Sequence, residues 1–345
     1  MSRGTIARRA ARVTAAVALG AVAWELQRRA DRRAVAADPA TAELAHQITG
    51  RPVAVASKDG TRLHAEVFGP DGAPAIVLVH GWTNAIAVWH YQIRDLAGRF
   101  RVVAYDQRGH GRSGPPQAAA YTPEALGDDL HAVIEATVPE GEQCVVVGHS
   151  MGGMTIVSWA GMHADQVRRH VAAAALIGTG MGDLLEQILV LRPRWAARVH
   201  RALTPRAVAY PLRLPRNPTP LSYRAVRYVA LSVNASPGAV DFTGKLFADC
   251  PAPVRAGFGR SFSALDLYTS VPRLDVPTLV MVGELDRLTP PWHARKLADE
   301  LPQVEELVEL RGVGHMLQLE APDEVTSRVD RLARVHLRAR QSATA

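Results

Sequence analysis

The chain has very little cysteine: Cys144 and Cys250 are the only two in 345 residues. So few exclude a disulfide framework, and Cys144, lying in the apolar run Cys144-Val145-Val146-Val147, reads as a small buried apolar residue. Aromatic residues are also sparse, at 6%. No internal repeat or low-complexity tract is present. No stripe of interleaved aromatics and arginines marks a nucleic-acid module, so nucleic acid is not an expected partner. Long apolar runs are missing as well. The uncharged stretch from Val13 to Trp24 falls short of the roughly 20 residues that cross a bilayer. What remains is 48% hydrophobic and 21% charged, the balance of a soluble, alanine-rich globular chain whose length suits one core with an insertion.

The net charge of +7 is unevenly placed. Residues 1–34 hold eight arginines against Glu25 and Asp31, residues 181–271 hold twelve basic against five acidic residues, and the rest carries an acidic excess. A basic tail and a basic insertion thus sit on an acidic body. In the tail, Arg3, Arg8, Arg9 and Arg12 precede the apolar run and Arg28, Arg29, Arg32 and Arg33 follow it. That order predicts a membrane anchor or uncleaved signal-like segment, with membrane contact through residues 1–34. Two alternatives stay open. Ala34-Val35-Ala36 offers a cleavage site for secretion, although the arginines before it are atypical, and a cytoplasmic basic helix also fits. Residues 1–45 are expected to stand apart from the fold.

The strongest functional signal is Gly148-His149-Ser150-Met151-Gly152, placed between an apolar strand-like run and a helix-like stretch. A serine hydroxyl at its ordinary pKa is a poor nucleophile. To be used, it must stand clear of the sheet on a sharp strand-to-helix turn beside a base. The flanking glycines leave room for that turn, and the helix from Met151 directs free N–H groups toward developing negative charge. Downstream, the β-branched run Pro277 to Val282 ends in Gly283-Glu284-Leu285-Asp286. Asp286 is the expected orienting acid and Glu284 a weaker substitute. Val304 to Leu310 form a further strand, and Gly312-Val313-Gly314-His315 follow, so His315 is the expected base. His149 is expected to pack away from Ser150, and His80 to tie down the loop after the strand Ala75 to Val79. The backbone N–H groups of Trp82 and Met151 are the expected oxyanion donors. This chemistry requires no cofactor and no metal.

Four segments together resemble the α/β-hydrolase superfamily, in its lid-bearing serine hydrolase branch of esterases, monoacylglycerol lipases, lysophospholipases and cofactor-free haloperoxidases. They are His80-Gly81-Trp82, Asp106-Gln107-Arg108-Gly109-His110-Gly111-Arg112-Ser113, the serine segment, and Gly283-Glu284-Leu285-Asp286 with Gly314-His315. The resemblance spans about residues 50 to 337 and implies a structural role for Asp106 to Ser113. It also implies an α/β-hydrolase fold: a mostly parallel eight-stranded sheet with helices on both faces and an inserted helical lid. The core is expected at 46–180 and 272–345 and the lid at 181–271. A hairpin around Asp59-Gly60, followed by strands alternating with helices at Ala85 to Leu96, Pro123 to Val138 and Met151 to His163, agrees with this. Trp195, Tyr210, Tyr223, Tyr228, Phe242 and Phe247 are candidate pocket walls. The expected activity is hydrolysis of a small acyl or lipid-like ester through an acyl-enzyme. Perhydrolysis or haloperoxidase chemistry, carbon–carbon bond hydrolysis and a non-catalytic binding module remain open alternatives. Oligomeric state has no signal here.

Overall fold

The computed structural model describes residues 3–117, 120–184, 210–211, 216 and 218–341. An eight-stranded sheet runs through it in the order β1-β2-β4-β3-β5-β6-β7-β8. The strands are β1 (Arg51–Ala56), β2 (Arg62–Phe68), β3 (Ala75–Val79), β4 (Arg101–Asp106), β5 (Cys144–His149), β6 (Val171–Ile177), β7 (Thr278–Gly283) and β8 (Val304–Leu310). Only β2 runs against its neighbours, pairing antiparallel with both β1 and β4. Every residue of β3, β5, β6 and β7 is buried, as continuous Val, Ile, Leu and Ala runs require when helices cover both faces. Alternation sorts their side chains: Val77 and Val79 enter one core layer, Ile76 and Leu78 the other. β8 closes the sheet with Glu305, Glu306 and Glu309 along an exposed edge, where charge discourages pairing with another chain.

One face is covered by α4 (Pro123–Thr137) and α5 (Met151–Met162), the other by α3 (His90–Leu96) and α12 (Pro322–Gln341). α5 is apolar almost all round and is buried from Met151 to Ala160, as such a helix must be. Two local expectations change. The helix read from Ala85 to Leu96 begins as a 3-10 turn, Ile86–Trp89, because the Ile86 N–H is taken by Asp106 Oδ1 at 2.9 Å. The helix read as ending at His163 is followed by another, α6 (Ala164–His170), after His163 leaves the helical region with φ −130°. Asp165 in the first turn of α6 and Arg168, Arg169 and His170 in its last complement the helix dipole.

Between β6 and β7 lie α7 (Pro220–Ala230), α8 (Pro237–Asp249) and α9 (Ala252–Ser261), then the 3-10 turns Phe262–Ala264 and Tyr268–Arg273. Prolines that interrupt the sequence pattern here start helices. Pro220 follows Thr219, the N-cap of a capping box closed by Ser222, and Pro237 follows the Ser236 cap, since a first-turn proline forfeits no hydrogen bond. Trp195 and the apolar row Leu185 to Leu191 lie outside the described residues. α10 (Pro291–Glu300) follows β7, and α11 (Leu317–Glu320) precedes α12.

The N-terminal segment corrects the expectation that residues 1–45 stand apart. It forms α1 (Arg3–Ala37) and α2 (Pro39–Ala45). Asp31 pairs with Arg224 of α7 at 2.9 Å. Asp38 caps α2 through Ala40 N–H at 3.1 Å and accepts Gly238 N–H of α8 at 2.6 Å. Leu44 is buried in the layer that holds Tyr223 and Val240. Most of these partners come from the insertion, although Glu43 also pairs with Arg94 of α3, so only the folded molecule reveals them. Farther out on α1, Leu19, Val22, Trp24 and Leu26 are exposed. Among the described residues no helix is long and apolar enough to cross a membrane.

Candidate active site

The sheet order reverses between β3 and β5: the chain leaves β3 for β4 on one side and reaches β5 on the other. Such a switch opens a crevice beyond the carboxyl ends of the two strands. His80-Gly81-Trp82 and Ser150 occupy those ends. Ser150 stands between β5 and α5 at φ 53° and ψ −119°, a conformation costly for any residue with a β carbon. Its own backbone is held on every side. Ser150 N–H donates to Ile177 O at 2.9 Å, and its carbonyl accepts Gly153 N–H at 2.9 Å and Thr179 Oγ1–H at 2.8 Å. The flanking glycines are required sterically. A β carbon on Gly148 would meet Gly152 O at 2.5 Å, and one on Gly152 would strike Val79 O.

Asp286 and His315, 29 residues apart in sequence, are joined directly: His315 Nδ1–H donates to Asp286 Oδ2 at 2.7 Å, with both side chains buried. Asp286 Oδ1 accepts the N–H groups of Leu288 at 2.8 Å and Thr289 at 2.9 Å, and Thr289 Oγ1–H reaches Oδ2 at 2.8 Å. Burial alone would raise the Asp286 pKa. The adjacent His315 and the hydrogen bonds from His315 and Thr289 outweigh it and hold the carboxyl below its usual range. Asp286 therefore stays an anion. Glu284, the weaker candidate, is exposed and accepts Gly312 N–H at 2.9 Å, away from this pair.

The other expected positions also fall at this rim. Met151 opens α5, so its N–H has no acceptor within the helix. Trp82 follows Gly81, whose β carbon, if present, would sit 3.0 Å from Ser150 Cβ. The Trp82 ring is wedged edge-on against Phe262 at 5.4 Å and Phe247 of α8 at 6.1 Å. Phe247 is the expected wall residue brought beside the site. Tyr210 and Tyr228 are exposed, while Tyr223 is buried with its hydroxyl 3.4 Å from Pro237 O. His80 does tie its loop: Nδ1–H donates to Gly81 O at 2.7 Å and Nε2 accepts Gln107 N–H at 2.9 Å.

The Asp106 to Ser113 segment is scaffolding. Asp106 accepts Ile86 N–H and Arg112 N–H, each at 2.9 Å. Buried Arg108 makes a two-pronged pair with Asp129, both bonds 2.7 Å, and reaches Asp59 at 2.9 Å. The insertion's basic surplus is partly consumed in the same way: Arg224 by Asp31, Arg216 by Asp249, and Arg255 by the Phe247 and Cys250 carbonyls.

Three contributors escape the sequence reading. Thr289 supports Asp286 and lies 3.3 Å from His315 Nδ1. Glu320 gathers the N–H groups of Ser232 at 2.8 Å, Gly314 at 3.1 Å and Met316 at 3.2 Å, pinning the His315 loop to the insertion. His149 does more than pack, since Nε2–H donates to the His315 carbonyl at 2.9 Å. The Asp-x-x-Thr turn from Asp286 to Thr289 is the only one of these with a local signal.

These features define an α/β scaffold that carries a serine elbow and a buried acid–histidine pair at the carboxyl ends of its strands. The chain belongs to the alpha/beta hydrolase fold family, whose model matches residues 74–322. The probable oxidoreductase EphD of Mycobacterium tuberculosis is 29% identical over 269 residues, covering 72% of this chain and 44% of that protein. The chain thus spans under half the length of such relatives. Epoxide hydrolase B of the same organism is 39% identical over 111 residues, 31% of each protein. Among solved structures, the enol-lactonase from Burkholderia xenovorans LB400 superposes with a TM-score of 0.63 at 26% identity, covering 81% of this chain and 99% of its own.

Proposed function

We propose that the chain is a serine hydrolase acting on carboxylic esters through an acyl-enzyme. The observation that carries this reading is the buried 2.7 Å Asp286–His315 bond at the rim where Ser150 is held in a strained turn. Ser150 Oγ attacks the ester carbonyl while His315 Nε2 takes its proton. The carbonyl oxygen, now an anion, is met by the N–H groups of Trp82 and Met151. Collapse expels the alcohol, which takes the proton from His315, and leaves an acyl group on Ser150. Water repeats the steps, releasing the acid and restoring the serine. Asp286 keeps the His315 tautomer that leaves Nε2 free and stabilises the transient imidazolium.

The similarity to epoxide hydrolase B raises ring opening as a competing chemistry. The nucleophile argues against it. A carboxylate that opens an epoxide makes an ester, which water can cleave at the carbonyl. A serine would make an ether with no carbonyl to attack, and the enzyme would stop after one turn.

We read the helices between β6 and β7 as a lid, because Phe247 and Phe262 grip Trp82 and Ser232 shares Glu320 with the His315 loop. The substrate is a small-molecule acyl ester or a lipid. Exposed Leu19, Val22, Trp24 and Leu26 between arginine clusters favour contact of α1 with a membrane surface. Turnover of p-nitrophenyl esters and labelling by a fluorophosphonate probe test the nucleophile. Both are expected to vanish in Ser150→Ala, and turnover that persists there would place the nucleophile elsewhere.

A further inference from the structure

His149, the residue before the nucleophile, is fully buried, and its ring meets three loops at once. Nε2 lies 2.9 Å from the His315 carbonyl oxygen. That oxygen only accepts, so Nε2 carries the proton. Nδ1 is then the acceptor and takes Gln318 Nε2–H at 3.2 Å. With the Gln318 amide oriented this way, a second proton on Nδ1 would face that N–H, so these hydrogen bonds fit the neutral ring. Burial first, then the nearby His315, push its pKa down to about 3. The rings of His149 and His315 are 4.9 Å apart and tilted by 53°. On the opposite flank, a β carbon on Gly81 would lie 2.9 Å from His149 Nδ1 and 3.0 Å from Ser150 Cβ, so the loop leading to Trp82 rests against this ring. Trp89 closes the remaining side edge-on at 6.5 Å.

We infer that His149 is a positioning residue, a strut that keeps the Ser150 elbow, the Gly81–Trp82 loop and the His315 loop in register during catalysis. The inference rests on the serine hydrolase reading above. The strut acts through the His315 backbone: its donor holds the carbonyl of the residue whose imidazole must meet both Ser150 and Asp286. Its neutrality matters equally. When His315 takes the serine proton it becomes a cation, and a charged neighbour at this separation would oppose that step. The titratable groups that face His149 are His315, Asp286 and His80. Asp286 already balances the imidazolium, which leaves no carboxylate for a second positive ring.

The experiment uses the full chain with p-nitrophenyl esters. His149→Phe keeps a ring but loses both hydrogen bonds, and His149→Gln keeps a donor directed at the His315 carbonyl. A misplacement of about 1 Å at a catalytic group costs on the order of 10²-fold, so His149→Phe should lose kcat on that scale with KM unchanged. His149→Gln should recover much of the loss, and fluorophosphonate labelling should slow in step with kcat. Gln318→Met removes the donor facing Nδ1 and leaves the carbonyl bond intact. Because the bond to the His315 carbonyl carries the inference, Gln318→Met should lose less kcat than His149→Phe. Wild-type kcat in His149→Phe, equal loss in both His149 variants, or a loss in Gln318→Met as large as that in His149→Phe would each overturn the strut. Ser150→Ala separates the two readings: turnover surviving there removes the triad itself, whereas a dead Ser150→Ala beside a fully active His149→Phe removes only the strut.

Discussion

Ser150 sits in a backbone region that costs roughly 1–3 kcal/mol for a non-glycine residue, and four hydrogen bonds to its N–H and carbonyl hold it there. That cost and its position at a strand-to-helix turn are written locally, in two glycines and a serine, which is why the elbow was legible. The same holds for Asp286 and His315, each just past a strand. Glu284 shares that signal yet bonds Gly312, and no spacing rule distinguishes two carboxylates two residues apart. In Asp286→Asn the amide N–H would face Nδ1 and favour the wrong tautomer. We expect kcat near neutral pH to fall by about 10⁴-fold with the fold retained. Ester hydrolysis and circular dichroism check this, and a fall of less than about tenfold would deny Asp286 its orienting role. Glu320 and His149 were not legible as supports, because each acts on a group far along the chain, Ser232 and the His315 carbonyl, whereas Thr289 acts three residues away on Asp286 through a local turn.

At the scale of elements, strands buried on both faces announce themselves as unbroken apolar runs, and β3 matches its expected bounds, as does the exposed edge strand β8. Helix ends were less visible. The 3-10 start at Ile86 depends on a carboxylate from β4, and α6 depends on one departure from helical dihedrals at His163. The N-terminal segment shows the sharpest difference, since α2 and the end of α1 dock on α7 and α8. The expected lid and the expected membrane helix are therefore connected. The exposed apolar side chains of α1 should hold the full chain on membranes through a high-salt wash, and deletion of residues 1–27 should release it without altering kcat on a soluble ester. Sedimentation after washing is the measurement. Complete release of the intact chain by salt would reduce the attachment to charge attraction alone.

Across the whole molecule, four buried histidines bear on stability. Burial holds His80 well below its ordinary pKa, pushes His110 and His293 down to about 4, and pushes His149 to about 3. In the unfolded chain each binds a proton near pH 6.5. As pH falls below about 7 the unfolded state therefore holds more protons, and each histidine removes on the order of 1.4 kcal/mol of stability per pH unit until its folded pKa is reached. Urea unfolding should show a midpoint that is flat from about pH 9 to 7 and declines steadily from about 7 to 5. A midpoint unchanged over the acidic interval would mean that these rings are already charged, or exposed, in the folded protein.

Sequence alone determined the parts whose signal lies within a few neighbours: the strand runs, the strained serine turn, and the order of serine, acid and histidine along the chain. Short-range sterics and apolar periodicity suffice for those. Tertiary structure alone decided which residues support them. The Asp38–Gly238 bond closes 200 positions, His149 to the His315 carbonyl 166, and Ser232 to Glu320 88. Over such separations a hydrogen bond forms only where packing of the sheet and its covering helices has already brought the two groups within reach, and no local pattern encodes that distance.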